Sequence, residues 1–170
     1  HSRLLRREMA EVKRNTLRRV AEEKVTATLN PILDDVVNGL MSGDTDLFDK
    51  HLIGAKDYRD MVSKGGNWAE HRRLSLLVFD RASKHMRENE PIRTEAIIGP
   101  KWGINSSHAQ SYMNSHEVDE MDVDSVPWKC ISRFARFGKT IVDSDGNVYE
   151  VVLKFYRVDG LWKIGMKRSY

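Results

Sequence analysis

The sequence predicts an α+β fold in which helices come first and an antiparallel sheet follows. Three observations carry this prediction. Over the first half of the chain, apolar residues recur every three or four positions, which is typical of helices packed on a core. From residue 93 onward, apolar and polar residues alternate, as in half-buried strands. Asp159-Gly160 between two alternating segments predicts a tight hairpin, which joins antiparallel strands.

Residues 3–29 are predicted to form a basic amphipathic helix. Its apolar positions are spaced by three and four residues, and basic residues occupy much of the remaining circumference. Asn30 before Pro31 predicts an N-cap and a first-turn proline, so a second helix is expected over 31–41. The apolar positions of the first helix are Leu5, Met9, Val12, Thr16 and Val20.

Two further helices are predicted before residue 90. Gly43 ends the helix over 31–41, and Asp44 or Thr45 caps a short helix after it. Asn67, with Glu70 three residues later, is typical of the capped start of a longer helix over 68–88. The inward residues of this longer helix are predicted to be Leu74, Leu77, Val78 and Met86.

Four strands are predicted in the second half of the chain. The first covers 93–98 and is closed by Gly99-Pro100, and the last two cover 148–157 and 161–167. The second covers 128–137, and the residues on one of its faces are Trp128, Cys130, Ser132 and Phe134. Residues 99–127 form a long polar connection, and a connection of that length is expected to be functional or disordered.

Composition excludes several classes of protein. Hydrophobic residues make up 40% of the chain, and no run approaches the roughly 18 apolar residues that a membrane span needs. The single cysteine excludes a disulfide framework and favours an intracellular, reducing compartment. Its 170 residues are enough for one sizeable core. We therefore expect a helical extension over 1–29 and one α+β domain over 30–170.

Charge is segregated along the chain. Residues 1–20 carry 7 Lys/Arg and 2 Asp/Glu, and residues 128–170 carry 9 and 4. Clustered basic residues attract an anionic membrane, RNA or an acidic protein surface, although an ordinary solvated face is the alternative explanation. The predicted contacts in the first helix are Arg6, Arg7, Lys13, Arg14, Arg18 and Arg19.

Two segments carry a resemblance to a known family. Gly-Leu-Met-Ser-Gly-Asp-Thr-Asp-Leu-Phe at 39–48 and Tyr-Arg-Val-Asp-Gly-Leu-Trp-Lys-Ile at 156–164 resemble the nuclear transport factor 2-like superfamily. The resemblance implies a strongly curved antiparallel sheet wrapped against helices as a cone with an internal pocket. A basic helix ahead of such a cone is similar in layout to the mitochondrial inner-membrane import-motor anchor domain and to mitochondrial ribosome receptors. That layout implies a role in mitochondrial import, assembly or ribosome tethering, on the matrix side of the inner membrane.

An enzyme is the second hypothesis. Enzymes of the superfamily use inward carboxylates, histidine or tyrosine as acid and base, which implies a small-molecule pocket enzyme of the dehydratase, isomerase or hydrolase type. No motif marks any such residue of this chain as inward, so no catalytic residue and no cofactor are predicted. The candidates weighed are Asp57, Tyr58, His85, Glu95, Ser132 and Glu150.

No metal site is predicted. Asp143 to Asn147 begins like a calcium loop, but Lys154 stands where the bidentate glutamate belongs. Cys130 is expected to be a small core residue rather than a nucleophile. The acidic connection also lacks compact ligand spacing. Its candidate ligands are His108, His116, Glu117, Asp119, Glu120, Asp122 and Asp124.

The leading hypothesis is a non-catalytic adaptor or scaffold that binds a protein partner or an anionic membrane surface through its basic helix. Leu5, Met9 and Val12 would add apolar contact. The alternative is that the helix packs on its own domain or on a dimer mate. RNA or ribosome contact ranks behind. The oligomeric state is left open, and a sheet-to-sheet homodimer is one assembly that such cones allow. The basic residues near the C-terminus are Arg133, Arg136, Lys154, Arg157, Lys163, Lys167 and Arg168, among the aromatic residues Phe134, Phe137, Tyr156, Trp162 and Tyr170.

Overall fold

The computed structural model describes residues 2–90 and 93–166, and it confirms the α+β class. The helices are α1 (Ser2–Ser42), α2 (Asp46–Asp49), α3 (Ala55–Asp57), α4 (Trp68–Glu88) and α5 (Ser106–Ser115). The strands are β1 (Arg93–Lys101), β2 (Phe134–Val142), β3 (Val148–Val158) and β4 (Leu161–Ile164). A π-helical turn over Tyr58–Val62 follows α3, and 3₁₀ turns cover Val118–Glu120 and Trp128–Cys130.

The contacts of the chain cluster into two compact units. Unit 1 combines His1–Thr28 with Trp102–Ser132, and unit 2 combines Leu29–Lys101 with Arg133–Tyr170. The boundary after Thr28 lies next to the one expected at residue 29, whereas Trp102–Ser132 clusters with the N-terminal helical segment. The long connection over 99–127 is therefore not a loop, because it supplies α5, the 3₁₀ turn Val118–Glu120 and most of the second segment of a packed unit.

Helix α1 is continuous, so the predicted break at Pro31 is wrong. Pro31 is exposed and lies inside the helix, where its missing N–H removes one backbone hydrogen bond. Leu29, Leu33 and Val36 flank it on the buried side, each at most 1% exposed. The burial of these side chains offsets the local cost of the proline, because each contributes roughly 1.5–3 kcal/mol.

Unit 1 has its own apolar core. Helix α1 contributes residues at successive spacings of three, one and four, which places them on one side of the helix. Segment 102–132 contributes the opposing side chains, including Tyr112, whose hydroxyl forms a short hydrogen bond with Ser125 Oγ. The buried residues are Leu17, Val20, Ala21 and Val25 from α1, and Ala109, Tyr112, Met113, Met121, Val126, Cys130 and Ile131 from the second segment.

Unit 2 contains an open four-stranded antiparallel sheet in the order β1-β2-β3-β4. Asp159 and Gly160 form the β3–β4 turn with φ of 49° and 79°, which confirms the predicted hairpin. Helices pack on one side of this sheet, and Phe48 of α2 stacks on Phe79 of α4 at 4.6 Å between ring centroids. The cone with an internal pocket stays a prediction.

The two faces of the sheet differ in chemistry. On the helix-facing side, Ala135, Phe137 and Ile141 of β2 are buried, and Lys139 Nζ pairs with Asp34 Oδ1 of α1 at 2.6 Å. Alternation places the intervening positions of β2 and β3 on the opposite side, which we call the outer face. The paired residues of the outer face are Phe134 with Tyr156, Arg136 with Lys154, Gly138 with Val152, Thr140 with Glu150, and Val142 with Val148.

The residues of α4 that face the core are only partly those predicted. Asn67 Oδ1 accepts a hydrogen bond from Glu70 N, which confirms the predicted start of the helix. Met86 is buried, but Leu77 and Val78 are 37% and 43% exposed, so their inward assignment is wrong. Two buried positions that the prediction did not include are serines, and Ser83 Oγ donates to Leu40 O at 2.7 Å. The buried line passes through Ser75, Phe79, Ser83 and Met86.

Three strand boundaries also differ from the prediction. Strand β1 continues through Gly99, whose φ of 89° fits the register shift between Ile98 and Lys101. Strand β2 begins at Phe134, because residues 128–130 form a 3₁₀ turn after Pro127. The face predicted to carry Trp128, Cys130, Ser132 and Phe134 therefore does not exist. Strand β4 ends at Ile164, so the prediction that it continues over Gly165 and Met166 is wrong, and Lys167 lies outside the described residues.

Candidate functional site

A groove of about 410 Å³ lies in unit 1, between the N-terminal part of α1 and helix α5. Helix α1 lines it with Arg6, Met9, Ala10, Lys13 and Arg14. Helix α5 lines it with Gln110, Met113 and Asn114. The groove thus combines three cations, two methionines and two side-chain amides.

The spacing of the α1 residues explains why they share this groove. Arg6, Ala10 and Lys13 follow one another at intervals of four and three, so they form one line along the helix. One turn farther along the same side, Leu17 is 1% exposed in the unit 1 core. The groove is therefore the solvent-facing continuation of the contact between α1 and segment 102–132.

Lys13 anchors the groove. Its Nζ donates a hydrogen bond to Met113 O at 3.1 Å, and that carbonyl lies in the last turn of α5. Carbonyls in a last helical turn lack intrahelical partners and carry the negative end of the helix dipole, so a lysine satisfies them well. This contact fixes α5 against α1 and leaves Arg6 and Arg14 as the exposed cations of the groove.

The structure separates the six predicted contact residues into two groups. Arg6, Lys13 and Arg14 line the groove, whereas Arg7, Arg18 and Arg19 do not. Arg19 pairs with Glu23 at 3.1 Å, which is an exposed helix pair of small energetic value. Within residues 2–90 and 93–166, the guanidiniums of Arg7, Arg14 and Arg18 form no ion pair.

An exposed apolar strip borders the groove. Leu5, Met9 and Val12 are each 51% exposed and lie at intervals of four and three on α1. The helix does pack on its own chain, but through Leu17 and Val20, and not through these three exposed residues. Met9 belongs to both the strip and the groove, so the two form one continuous surface. Aliphatic side chains beside cations suit a ligand that is both apolar and anionic.

Sequence reasoning missed the α5 half of the groove. Segment 106–115 contains no glycine or proline and places Ala109, Tyr112 and Met113 at helical spacing, which is a usable signal for a helix. The polar residues around this pattern and the acidic stretch after it favour a loop instead. Gln110, Met113 and Asn114 therefore fall in a connection when the sequence alone is considered.

The enzyme candidates do not converge on one site. Asp57 and Ser132 are half-buried, whereas Glu95 is exposed and pairs with Arg93. Tyr58 is buried, and its hydroxyl forms a short hydrogen bond with His71 Nδ1. None of these four residues lines the groove of unit 1 or the apolar cavity of unit 2.

A second polar cluster links His85, Tyr149 and Asp143 in unit 2. Tyr149 donates its hydroxyl proton to Asp143 Oδ2 at 3.0 Å and lies 3.1 Å from His85 Nε2. Burial opposes ionisation of Asp143, but hydrogen bonds from Asn147, Tyr149 and Asp145 outweigh it and hold the pKa of that carboxyl below its ordinary value. Burial and the Asp143 carboxylate raise the pKa of Tyr149. The hydrogen bonds to Asp143 hold the β2–β3 turn together, which is a structural role for this cluster.

A cavity of about 290 Å³ lies in unit 2, between α1, α2, α4 and the sheet. Its lining is mostly apolar, with Leu40, Phe48 and Phe79 opposite Val151 and Leu153. Two charged residues, Glu150 and Lys154, contribute atoms to its edge, but strand alternation places both on the outer face. Within the described residues, the cavity therefore has no pair of titratable side chains directed into it.

The acidic stretch and the cysteine have structural roles. Glu117 and Glu120 form a capping box around the 3₁₀ turn Val118–Glu120, and Asp122 Oδ1 accepts from Ser125 N at 2.7 Å. Cys130 is 1% exposed, which confirms it as a core residue, and burial raises the pKa of its thiol. In the described part of the chain, no three His, Cys, Asp or Glu side chains are grouped to hold a metal ion.

Comparison with protein-family models, curated proteins and solved structures finds no match to this chain. The similarity to the nuclear transport factor 2-like superfamily therefore rests on the two sequence segments alone. Across residues 2–90 and 93–166, no helix combines the length and the hydrophobicity that a bilayer crossing needs. The groove in unit 1 is the strongest candidate site in the described chain, because it gathers cations and exposed apolar side chains on one surface.

Proposed function

We propose that this chain is a non-catalytic adaptor whose unit 1 groove binds an acidic, partly apolar segment of a protein partner. The observation that carries the proposal is the convergence of Arg6, Arg14 and the exposed Met9 on one groove. Guanidiniums bind carboxylates in a planar, bidentate geometry, which favours a partner rich in aspartate or glutamate.

The shape of the groove favours a protein segment over a lipid surface. Two helices form its walls, and α1 contributes Met9 while α5 contributes Met113. A flat bilayer surface would meet only the outermost side chains of α1, whereas one edge of an amphipathic helix fits between two helices. Methionine is flexible and polarisable, so two methionines adapt to the apolar side chains of such a helix.

Matched double substitutions on α1 test the proposal. Arg6→Gln with Arg14→Gln removes two groove cations, and Arg7→Gln with Arg18→Gln removes the same charge outside the groove. Wild type and both variants are used for affinity capture from the native cell at low and high salt. Each captured protein is then purified and titrated by isothermal calorimetry. Vesicles of phosphatidylserine and phosphatidylcholine are titrated in parallel.

We expect a partner that binds wild type more weakly at high salt, because exposed charges are screened. R6Q/R14Q is expected to weaken its binding at least tenfold, and R7Q/R18Q at most about twofold, because only the former pair removes cations that reach the ligand. Equal losses in the two variants, together with binding to the anionic vesicles, would instead identify α1 as a membrane-surface helix and contradict the proposal.

The small-molecule enzyme is the second candidate, and the unit 2 cavity is the observation that favours it. Its apolar lining suits a hydrophobic ligand, but acid–base chemistry needs a titratable group within hydrogen-bond reach of the substrate. Depletion of a compound when the chain is incubated with a metabolite extract of the native cell, abolished by Val151→Trp in the cavity wall, would favour the enzyme over the adaptor.

A further inference from the structure

The outer face of the unit 2 sheet carries a row of like charges. In the antiparallel ladder, Lys101 of β1 pairs with Arg136 of β2, and Arg136 pairs with Lys154 of β3. All three side chains are exposed. Neighbouring strands are about 4.8 Å apart, so the Cα atoms of these three residues lie within roughly 10 Å.

This row is unfavourable for the isolated fold. Like charges directly opposite each other on neighbouring strands repel and destabilise the sheet. Among the described residues, none of the three forms an ion pair with a carboxylate. Glu150, the acid on the same face of β3, is separated from Lys154 by Val152. An anionic ligand across the three strands would relieve the repulsion.

Aromatic residues occupy the next row of the same face. Phe134 of β2 pairs with Tyr156 of β3, and Tyr156 pairs with Lys163 of β4. Phe134 is 50% exposed, whereas Tyr156 is 6% exposed, so Phe134 is the ring of this row that a base can reach. Lys154 Nζ lies 5.4 Å from the Phe134 ring centroid and 5.2 Å from that of Tyr156, so the basic and aromatic rows are in direct contact.

We propose that this basic–aromatic face binds single-stranded RNA or DNA. Lys101, Arg136 and Lys154 would contact successive phosphates, and Phe134 would stack on a base next to them. Single-stranded nucleic acids are bound by this combination of a cationic track and exposed aromatic rings, with little preference for sequence. The site lies wholly in unit 2, so it is independent of the groove proposed for the protein partner.

The same charges argue against a sheet-to-sheet homodimer. A two-fold dimer brings the same patch of two chains together, so two rows of three cations would lie in one interface. Repulsion between like charges placed opposite each other strongly disfavours such an interface. The outer face is therefore better suited to an anionic partner than to a second copy.

The test uses fluorescence anisotropy with labelled 20-nucleotide poly(U) and poly(dT) over a range of salt. Arg136→Gln with Lys154→Gln removes two charges of the row, and Phe134→Leu removes the ring but keeps an apolar side chain. Lys56→Gln with Lys64→Gln is the matched control, because both lysines are exposed and lie outside the sheet. R6Q/R14Q tests whether α1 contributes.

We expect R136Q/K154Q to weaken binding at least tenfold and to lower the slope of log K against log salt by about 1.4, or roughly 0.7 for each lost phosphate contact. F134L is expected to weaken binding about tenfold without changing that slope. K56Q/K64Q and R6Q/R14Q are expected to bind like wild type. The melting temperature of R136Q/K154Q should equal or exceed that of wild type, because the substitutions remove repulsion.

Three results would overturn the inference. The first is a wild-type chain that binds neither oligonucleotide at about 50 mM salt, where phosphate contacts are strong. The second is an equal loss of affinity in K56Q/K64Q and R136Q/K154Q, which would indicate binding by net charge alone. The third is a dimer in sedimentation that dissociates in F134L, which would assign this face to a second copy of the chain. None of these results bears on the groove in unit 1.

Discussion

Asp143 shows how one buried carboxylate organises a turn. It is 0% exposed, and it accepts hydrogen bonds from the backbone N–H groups of Asp145 and Asn147 and from the side chains of Asn147 and Tyr149. All of these groups donate, so only the ionised carboxylate satisfies them together. The segment that begins like a calcium loop is thus closed by its own donors.

Asp143→Asn is expected to destabilise the fold near neutral pH, because an amide presents its own N–H₂ to groups that also donate. We expect the melting temperature to fall by about 5 °C. Asp145→Asn is the control, since Asp145 is exposed in the same turn. An unchanged melting temperature in D143N would show that these hydrogen bonds contribute nothing to stability.

The pH dependence of the same variant follows from the lowered pKa of Asp143. In the unfolded chain the group titrates near its ordinary value of 3.8, and in the folded chain it titrates below that value. The stabilisation that ionised Asp143 gives to the folded chain is therefore complete above about pH 4 and is lost as the pH falls through the folded pKa. In urea titrations from neutral pH into acid, the difference in the free energy of unfolding between wild type and D143N should be constant down to about pH 4 and then decrease. A difference that increased in acid would contradict this.

Helix α1 shows how tertiary burial overrides a local signal. Asn30-Pro31 has the local features of a helix start, so local rules predict that one helix ends and another begins there. The buried side of the helix instead runs past the proline, from Val25 to Leu29 and Leu33. Which residues of a helix are buried depends on the segments that pack against it, and a local sequence pattern does not identify those segments.

Pro31→Ala is expected to stabilise the chain. Alanine restores the backbone N–H within the helix and removes the clash of the proline ring with the preceding turn, while the added freedom of the unfolded chain opposes part of the gain. We expect a net increase of about 2 kcal/mol in the free energy of unfolding, measured by urea denaturation. Glu22→Ala, at another exposed position of α1, is the control. A decrease in P31A would mean that the proline is accommodated without cost.

The strands show a similar limit of sequence reasoning. Segment 148–158 alternates over its whole length, and its predicted extent is confirmed to within one residue. Trp128 and Cys130 also occupy alternating positions, but they lie in a 3₁₀ turn. So short an alternation does not distinguish a strand from a turn.

The groove was predictable only in part. The α1 half could be inferred from the basic residues Arg6, Lys13 and Arg14, which the charge pattern singles out. The α5 half depended on pairing α1 with a segment about 100 residues away, as in the Lys13 contact to Met113 O. Helical periodicity shows which side of α1 is apolar, but it does not show what covers that side.

At the scale of the whole molecule, the α+β class and the order of the four strands were predictable, whereas the position of α5 between β1 and β2 and the grouping of the chain into two units were not. Each unit combines two segments that are far apart in sequence. Unit 1 depends on contacts such as Lys24, whose Nζ donates to Val126 O at 2.6 Å and lies 4.7 Å from the Trp128 ring centroid. Such long-range contacts have no signature in composition or periodicity.

Lys24→Met is expected to loosen unit 1, because methionine keeps the length of the side chain but loses the charge-assisted hydrogen bond and the cation–π contact. Amide hydrogen exchange in segment 118–131 should accelerate about tenfold or more, while exchange in β2 and β3 stays as in wild type. Lys129→Met, an exposed position in the same unit, is the control. Unchanged exchange in 118–131 would show that Lys24 does not hold this segment.

The ion pair between Lys139 and Asp34 also constrains how β2 is aligned. If β2 slipped by one residue, its side chains would change faces, so Phe137 and Ile141 would enter water and Arg136 would turn toward the helices. Lys139 would at the same time lose its carboxylate partner. A misaligned strand is therefore penalised on both sides of the sheet, and this single lysine on the helix-facing side distinguishes the native alignment from its nearest competitors.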